Sequence, residues 1–233
     1  EKVDQNVAQE GYGLYEIQQG QPIPLQQLEA SVQINNFIAH SQYVLTYINN
    51  TLNMLEAEFY LPISEASVLD SFKAEYNNKI IEGVIRGRTQ ADDEYEQEKQ
   101  KGSMIAKTAV VQETQDILRI AIANIPPDCT VKIMIGMIQK LEISIDKFWK
   151  LTLPFNLQAR DNSSNSNGED AVKLAAYPVV PVSEDSYILI LHIEIISDTP
   201  ILTVKSPTHK ITSLLSDSKT WCTIELSPSE IYR

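Results

Sequence analysis

The chain is 233 residues long and 43% hydrophobic, with 31 acidic against 19 basic residues and a formal net charge of -12. That apolar content suits a folded protein with one large core or two modest ones, not a disordered chain. The negative surface repels a phosphate backbone, and the longest apolar run, "YILILHIEII" from Tyr187, is about half the ~20 residues of a membrane span and is interrupted by His192 and Glu194, so neither nucleic acid nor a bilayer span is expected.

In chain order, "SVQINNFIAHSQYVLTYI" (Ser31 to Ile48) alternates apolar positions at Val32 and Ile34, then Tyr43, Leu45 and Tyr47, with turn-prone Asn35-Asn36 between them. This predicts two strands or one bent strand. In "SFKAEYNNKIIEGVI", Phe72, Ala74 and Tyr76 share a face and Asn77-Asn78 marks a hairpin turn, because asparagine accepts left-handed backbone angles. The next segment, "RTQADDEYEQEKQKG", predicts a helix over about Gln90 to Lys101. Thr89 stands at its N-cap with Asp92 three residues on, acids sit at its start, lysines at its end, and Gly102 follows. Only Ala91 and Tyr95, spaced i,i+4, can anchor it, so it is expected to cover a sheet edge with most of its circumference in water. Its acids Asp92, Asp93, Glu94 and Glu98 are the candidate docking face for a basic partner, with Tyr95 as the helix anchor.

Further on, "DILRIAIANIPPDCTVKIMIGMI" aligns Leu118, Ile120 and Ile122, reaches a Pro126-Pro127-Asp128 corner, then aligns Val131, Ile133, Ile135 and Met137, which predicts a second hairpin. "LEISIDKFWKLTLPF" continues the alternation through Leu141, Ile143 and Ile145, then Trp149, Leu151 and Leu153. The expected core comprises Leu45, Phe59, Phe72, Ile120, Ile122, Ile133, Ile135, Trp149 and Leu151. Many short antiparallel strands of this kind predict a mainly β chain, an antiparallel β-sandwich over residues 13–157 with one inserted α-helix. The polar stretch "ARDNSSNSNGED" lies in a linker, residues 158–185, and "YILILHIEII", "PILTVKS", "THKITSLL" and "TWCTIEL" predict four strands of a partial second β-domain over residues 186–233. Four strands cover each other poorly, so they are expected to pack against another chain or against sequence beyond Arg233, and residues 1–233 alone to self-associate.

The order of "GLYEIQQGQPIPLQQLEASVQINNFIAHSQYVLTYIN", "EAEFYLPIS", "FKAEYNNKIIEGVI", "ADDEYEQEKQKG" and "IANIPPDCTVKI" resembles the VIT domain, the vault protein and inter-alpha-trypsin module, over roughly Gly13 to Leu157. The pieces that carry the resemblance are the Pro24-Leu25 entry, the Tyr60-Leu61-Pro62 corner, Tyr95 followed by Gly102, and the Asn124-Ile125-Pro126-Pro127 turn. The later "YPVVPVSEDSYILILHIEI" and "SPTHKI" resemble the segment that leads from VIT into a von Willebrand A domain in intracellular proteins carrying both. Glu98 departs from the family, which usually has a small residue there. The resemblance implies a β-sandwich with a helical insertion, used as a non-enzymatic interaction or assembly module.

No chemistry is legible beside it. Gly11-Tyr12-Gly13 lacks the context of a dinucleotide loop, there is no P-loop, and no serine sits in a Gly-x-Ser-x-Gly elbow. His192 and Glu194 share a strand face but find no third ligand, Asp161-Asn162-Ser163 follows no buried strand, and Asp92-Asp93 lacks an apolar pocket, so no metal, cofactor or acid/base pair is expected. The alternative reading is a carbohydrate-binding or carbohydrate-processing sandwich, with Tyr43, Tyr47, Tyr60 and Tyr76 recruited to an outward face. Cys129 and Cys222 are too few for a disulfide framework and favour a reducing, cytoplasmic setting. Two sequons, Asn49-Asn50-Thr51 and Asn162-Ser163-Ser164, would matter only in a secreted chain.

Overall fold

The computed structural model describes residues 13–18, 21–64, 66–77, 79–82, 105–110, 117–155 and 187–228. The expected helix, with Asp92, Asp93, Glu94, Tyr95 and Glu98, lies outside the described residues, as does the linker. The strands are β1 (Gly13–Glu16), β2 (Leu25–Asn35), β3 (Ile38–Asn49), β4 (Leu55–Pro62), β5 (Ser67–Tyr76), β6 (Lys79–Glu82), β7 (Ile105–Val110), β8 (Ile117–Ile125), β9 (Cys129–Lys140), β10 (Glu142–Ile143), β11 (Trp149–Lys150), β12 (Ile188–Ile196), β13 (Ile211–Leu215) and β14 (Trp221–Leu226). They form an eight-stranded sheet in the order β13-β14-β12-β2-β3-β9-β5-β6, a four-stranded sheet in the order β1-β4-β8-β7, and the separate β10-β11 pair.

Period-two burial explains the packing. Leu28, Ala30, Val32 and Ile34 of β2, Tyr43, Leu45 and Tyr47 of β3, and Val131, Ile133 and Ile135 of β9 point to one face of the large sheet. There they meet Leu14, Ala57, Phe59, Leu61, Ile120 and Ile122 of the small sheet in one contiguous core. On the opposite face of the small sheet, Tyr15, Glu58 and Tyr60 are also buried, and the Tyr60 hydroxyl donates to Glu58 Oε2 at 2.6 Å. A buried carboxylate needs such a donor, since burial without one is costly.

Asparagine turns the chain where expected. Asn36 (φ 55°) lies in the β2–β3 connection and Asn77 (φ 46°) in the β5–β6 connection, both in the left-handed region that asparagine tolerates. The β2–β3 segment is therefore a hairpin of two strands. The Pro126-Pro127-Asp128 corner behaves differently from expectation: β8 pairs with β4 and β7, whereas β9 pairs with β3 and β5. The two flanking strands both alternate as sandwich strands do, but the corner carries the chain from one sheet to the other and makes no hairpin.

The strands expected to open a second β-domain instead extend the large sheet. All nine residues of β12 pair in parallel with Gln27–Asn35 of β2, β14 pairs antiparallel to β12, and β13 pairs with β14. Leu189, Leu191, Ile193, Cys222, Ile224 and Leu226 are buried, while Ile190 on the other face is exposed. Irregular chain packs on the same core cluster. Leu151, Leu153, Phe155, Ile201 and Val204 pack on the core; the Tyr187 hydroxyl donates to Phe155 O at 2.7 Å, and the Phe155 ring meets His209 edge-on at 5.8 Å. "PILTVKS" is part of this irregular chain and forms no strand. Of the expected core residues, seven are buried, Leu151 is partly buried, and Trp149 is exposed.

The buried tyrosines make stability depend on alkaline pH. Burial raises the Tyr43 phenol from 10.0 to about 12 against a small opposing effect of Ser41. Burial, with lesser contributions from Tyr15 and Tyr187, lifts Tyr47 well above its ordinary value. A phenol whose folded pKa exceeds its unfolded one stabilises the fold below the unfolded value and ceases to do so as pH rises through the folded value. Urea midpoints should therefore fall between about pH 10 and 12. In Tyr43→Phe, relative to the parent, that fall should be shallower; identical alkaline limbs in the two proteins would contradict the assignment.

Candidate interaction surface

One end of the sandwich gathers apolar side chains that the core does not use. After β9, the β10-β11 pair closes in register Glu142↔Lys150 and Ile143↔Trp149. Its loop is set by Ser144 N donating to Phe148 O (2.8 Å), Lys147 N donating to Ser144 O (2.9 Å), Phe148 N donating to Ser144 Oγ (3.1 Å) and Lys147 at φ 64°. This turn breaks the alternation that the sequence reading carried through Ile145. Ile145 lies on the loop at 101% relative exposure and Trp149 follows at 55%, with Ile143 and Phe148 also exposed.

The hairpin is fixed to its neighbours. Leu141 N donates to Phe37 O at 2.8 Å, and the Phe37 and Trp149 rings stack at 6.1 Å with 24° between planes. The adjoining turn is tied to the end of β12: Asn36 N donates to Ile196 O (2.8 Å), Asn36 Nδ2 to Asp198 Oδ2 (2.9 Å), and Asp198 N to Asn36 Oδ1 (2.9 Å). Lys205 Nζ stands 5.6 Å from the Phe148 ring centroid, and Lys150 approaches Glu142 at 3.9 Å. Both charged groups of that pair are half exposed, so the contact adds little stability. Exposed aromatic rings held in place, with lysines beside them, suit a macromolecular contact and supply no nucleophile or acid/base pair.

Other candidates resolve into structure. Glu194 accepts from Trp221 Nε1 (2.7 Å) and Gln33 Nε2 (3.3 Å), whereas His192 Nδ1 faces Glu225 Oε1 at 3.5 Å, so the two do not converge. No group of three or more metal-ligating side chains occurs among the described residues. Tyr43, Tyr47 and Tyr60 are buried and Tyr76 is half-buried, so these four cannot form the outward sugar-binding face of the alternative reading. Cys129 and Cys222 are free and buried, and burial pushes both thiols up. Phe37 and Phe148 were not singled out from sequence; the Lys147-Phe148-Trp149 run beside a left-handed lysine gives no periodic signal to find them by.

Residues 25–137 match the family model of the vault protein inter-alpha-trypsin domain, VIT. The chain carries a VIT domain. It is 27% identical over 169 residues to the human von Willebrand factor A domain-containing protein 5A, covering 72% of this chain and 21% of that protein. It is 26% identical over 202 residues to the mouse protein mono-ADP-ribosyltransferase PARP4, covering 85% of this chain and 10% of that one. The chain thus spans about one-fifth of the first of these relatives and one-tenth of the other. Among solved structures, a putative nutrient binding protein of Legionella pneumophila aligns over 93% of this chain and 66% of its own at 13% identity and a TM-score of 0.46, too distant to bear on activity. No helix among the described residues is long and apolar enough to cross a membrane.

The Asn49 sequon is structurally occupied. Asn49 is 2% exposed, and its Nδ2 donates to Asn53 O (3.0 Å), Ile125 O (3.3 Å) and Pro126 O (2.8 Å), joining the end of β3 to the corner between the sheets. Its Oδ1 accepts from Thr51 N and Thr51 Oγ1. The nitrogen that would carry a glycan is thus enclosed; Asn162 lies outside the described residues. Asn49→Ala should lower the unfolding free energy by about 2–4 kcal/mol in urea titration, since buried carbonyls lose their donor. A loss under 0.5 kcal/mol, by order of magnitude, would show that the clamp does not hold the corner.

Proposed function

We propose that this VIT-bearing chain is a non-enzymatic protein-interaction and assembly module acting in the cytoplasm, which meets a protein partner through the end surface built by Phe37, Ile143, Ile145, Phe148 and Trp149. The observation that carries the reading is the stacked, exposed Phe37–Trp149 pair beside a hairpin loop whose isoleucine, Ile145, is fully exposed. Rigid exposed aromatics with a neighbouring cation match the composition of binding hot spots. The acidic residues Asp92, Asp93, Glu94 and Glu98 are a second proposed contact, argued from charge alone, for a basic partner. Self-association through the C-terminal strands belongs to the same reading.

Capture by the immobilised chain of a partner from host lysate, followed by surface variants, tests this. Ile145→Asp with Trp149→Ala should reduce capture at least tenfold, a loss of about 1.4 kcal/mol, with the melting temperature nearly unchanged because the side chains are exposed. Reversing Asp93, Glu94 and Glu98 to lysine should do the same for a basic partner. Undiminished capture by both variants would reject both surfaces, and a specific saccharide in a glycan-array screen would replace the protein partner with a carbohydrate.

A further inference from the structure

The large sheet ends at β13, which has β14 as its neighbour among the described strands. Ser227 N donates to Lys210 O and Ser216 N donates to Trp221 O, both at 2.9 Å, at the two ends of that ladder. Bonded pairs alternate along an antiparallel ladder, so Lys210, Thr212, Leu214 and Ser216 exchange bonds with β14, while Ile211, Ser213 and Leu215 turn their N–H and C=O groups outward. Protein edges are normally guarded by charge, proline or a bulge. The β13 sequence, ITSLL, carries none of these, and Thr212, Ser213, Leu214 and Leu215 are exposed, Leu214 at 65%.

We propose that this edge is a binding site for a second copy of the same chain, joined β13 to β13 in antiparallel orientation about a two-fold axis at Ser213. The strand fits itself in this register. Its outward-facing backbone groups come opposite one another, with Ser213 against Ser213 of the copy and Ile211 against Leu215 at both ends. Ile211, Ser213 and Leu215 lie on the same face as their β14 partners Leu226, Ile224 and Cys222, which are buried, so the apolar inner face continues across the junction. On the other face Thr212 meets Leu214. The flanking charges agree as well: Lys210 of each copy comes opposite Ser216 and beside Asp217 of the other, a complementarity found at both ends because of the symmetry. An uncharged strand also offers a contact at which two chains of net charge -12 avoid direct repulsion. The site rests on the self-association of the C-terminal strands proposed above and uses none of the Phe37–Trp149 surface, so either surface can fail while the other stands.

Light scattering on the 233-residue chain over a hundredfold concentration range, with cysteine cross-linking, tests the register. The mass should double with concentration. Ser213→Pro, which removes an outward N–H and no bond to β14, should remain monomeric with an unchanged far-ultraviolet spectrum. Facing residues of a bonded pair lie within disulfide range, so Ser213→Cys should give a disulfide dimer at least tenfold faster than Thr212→Cys, while Cys129 and Cys222 stay buried. Lys210→Asp should weaken the dimer and Lys210→Asp with Asp217→Lys should restore it, a rescue possible only if the partner is a copy. A monomer throughout the range, a dimer that survives Ser213→Pro, or equal cross-linking at positions 212 and 213 would overturn the proposal. Binding of an unrelated extended peptide to a monomeric chain would likewise replace the second copy.

Discussion

The parallel ladder between β2 and β12 is the constraint on which the rest of the arrangement depends. Every residue from Ile188 to Ile196 pairs with Gln27 to Asn35, across more than 150 residues of intervening sequence, and each register position sets a side chain either toward the core or toward solvent. A shift by one residue would put Ile190 and His192 inward and expose Leu189 and Leu191. The ladder also fixes β14 and β13, which would have no sheet to join without it. It further places Ile196 O under the Asn36 amide, which ties the β2–β3 turn and its Phe37 ring to the C-terminal segment.

An eight-stranded sheet facing a four-stranded one leaves strands beyond the smaller sheet's reach. The chain solves this with irregular segments: Leu151, Leu153 and Phe155 after β11, and Ile201 and Val204 after β12, supply apolar surface packed on the core. Tyr187, Phe155 and His209 hold these segments at the starts of β12 and β13. What they do not cover is the outermost strand. Two exposed surfaces among the described residues result from one packing problem: an end hairpin that leaves Trp149 outside the core, and a sheet edge with no further described strand beside it.

Local features were legible from sequence, and long-range ones were not. Alternation located β2, β3, β5, β8 and β9, the apolar run "YILILHIEII" located β12, and the Asn36 and Asn77 turns follow from asparagine's tolerance of positive φ. The VIT resemblance, read from five ordered segments, agrees with the family match over residues 25–137. Pro126-Pro127 between two alternating runs reads the same whether the strands pair with each other or cross between sheets, because both arrangements need inward apolar faces; only the partners distinguish them. Trp149 falls outside the core, against expectation, because a five-residue loop, Ser144 to Phe148, interrupts a period that the apolar letters carry straight through. Nothing in "YILILHIEII" states that its partner is β2, since continuous apolar runs suit a parallel pair or a buried antiparallel one. Exposed surfaces were the hardest to read: Phe37 and Ile145 look like core residues until the turns that carry them are placed.

The central claim is that β12 and β14 belong to the same cooperative sheet as β2, β3 and β9. Native-state hydrogen exchange at low denaturant measures this directly, because each amide reports the free energy of the opening that exposes it. The account predicts that the amides of Leu189, Leu191 and Ile193 exchange only through the global opening that also releases Val32, Tyr43 and Ile133. A lower-energy opening that frees β12 to β14 together, while β2, β3 and β9 remain protected, would show a separately folding C-terminal unit and contradict it.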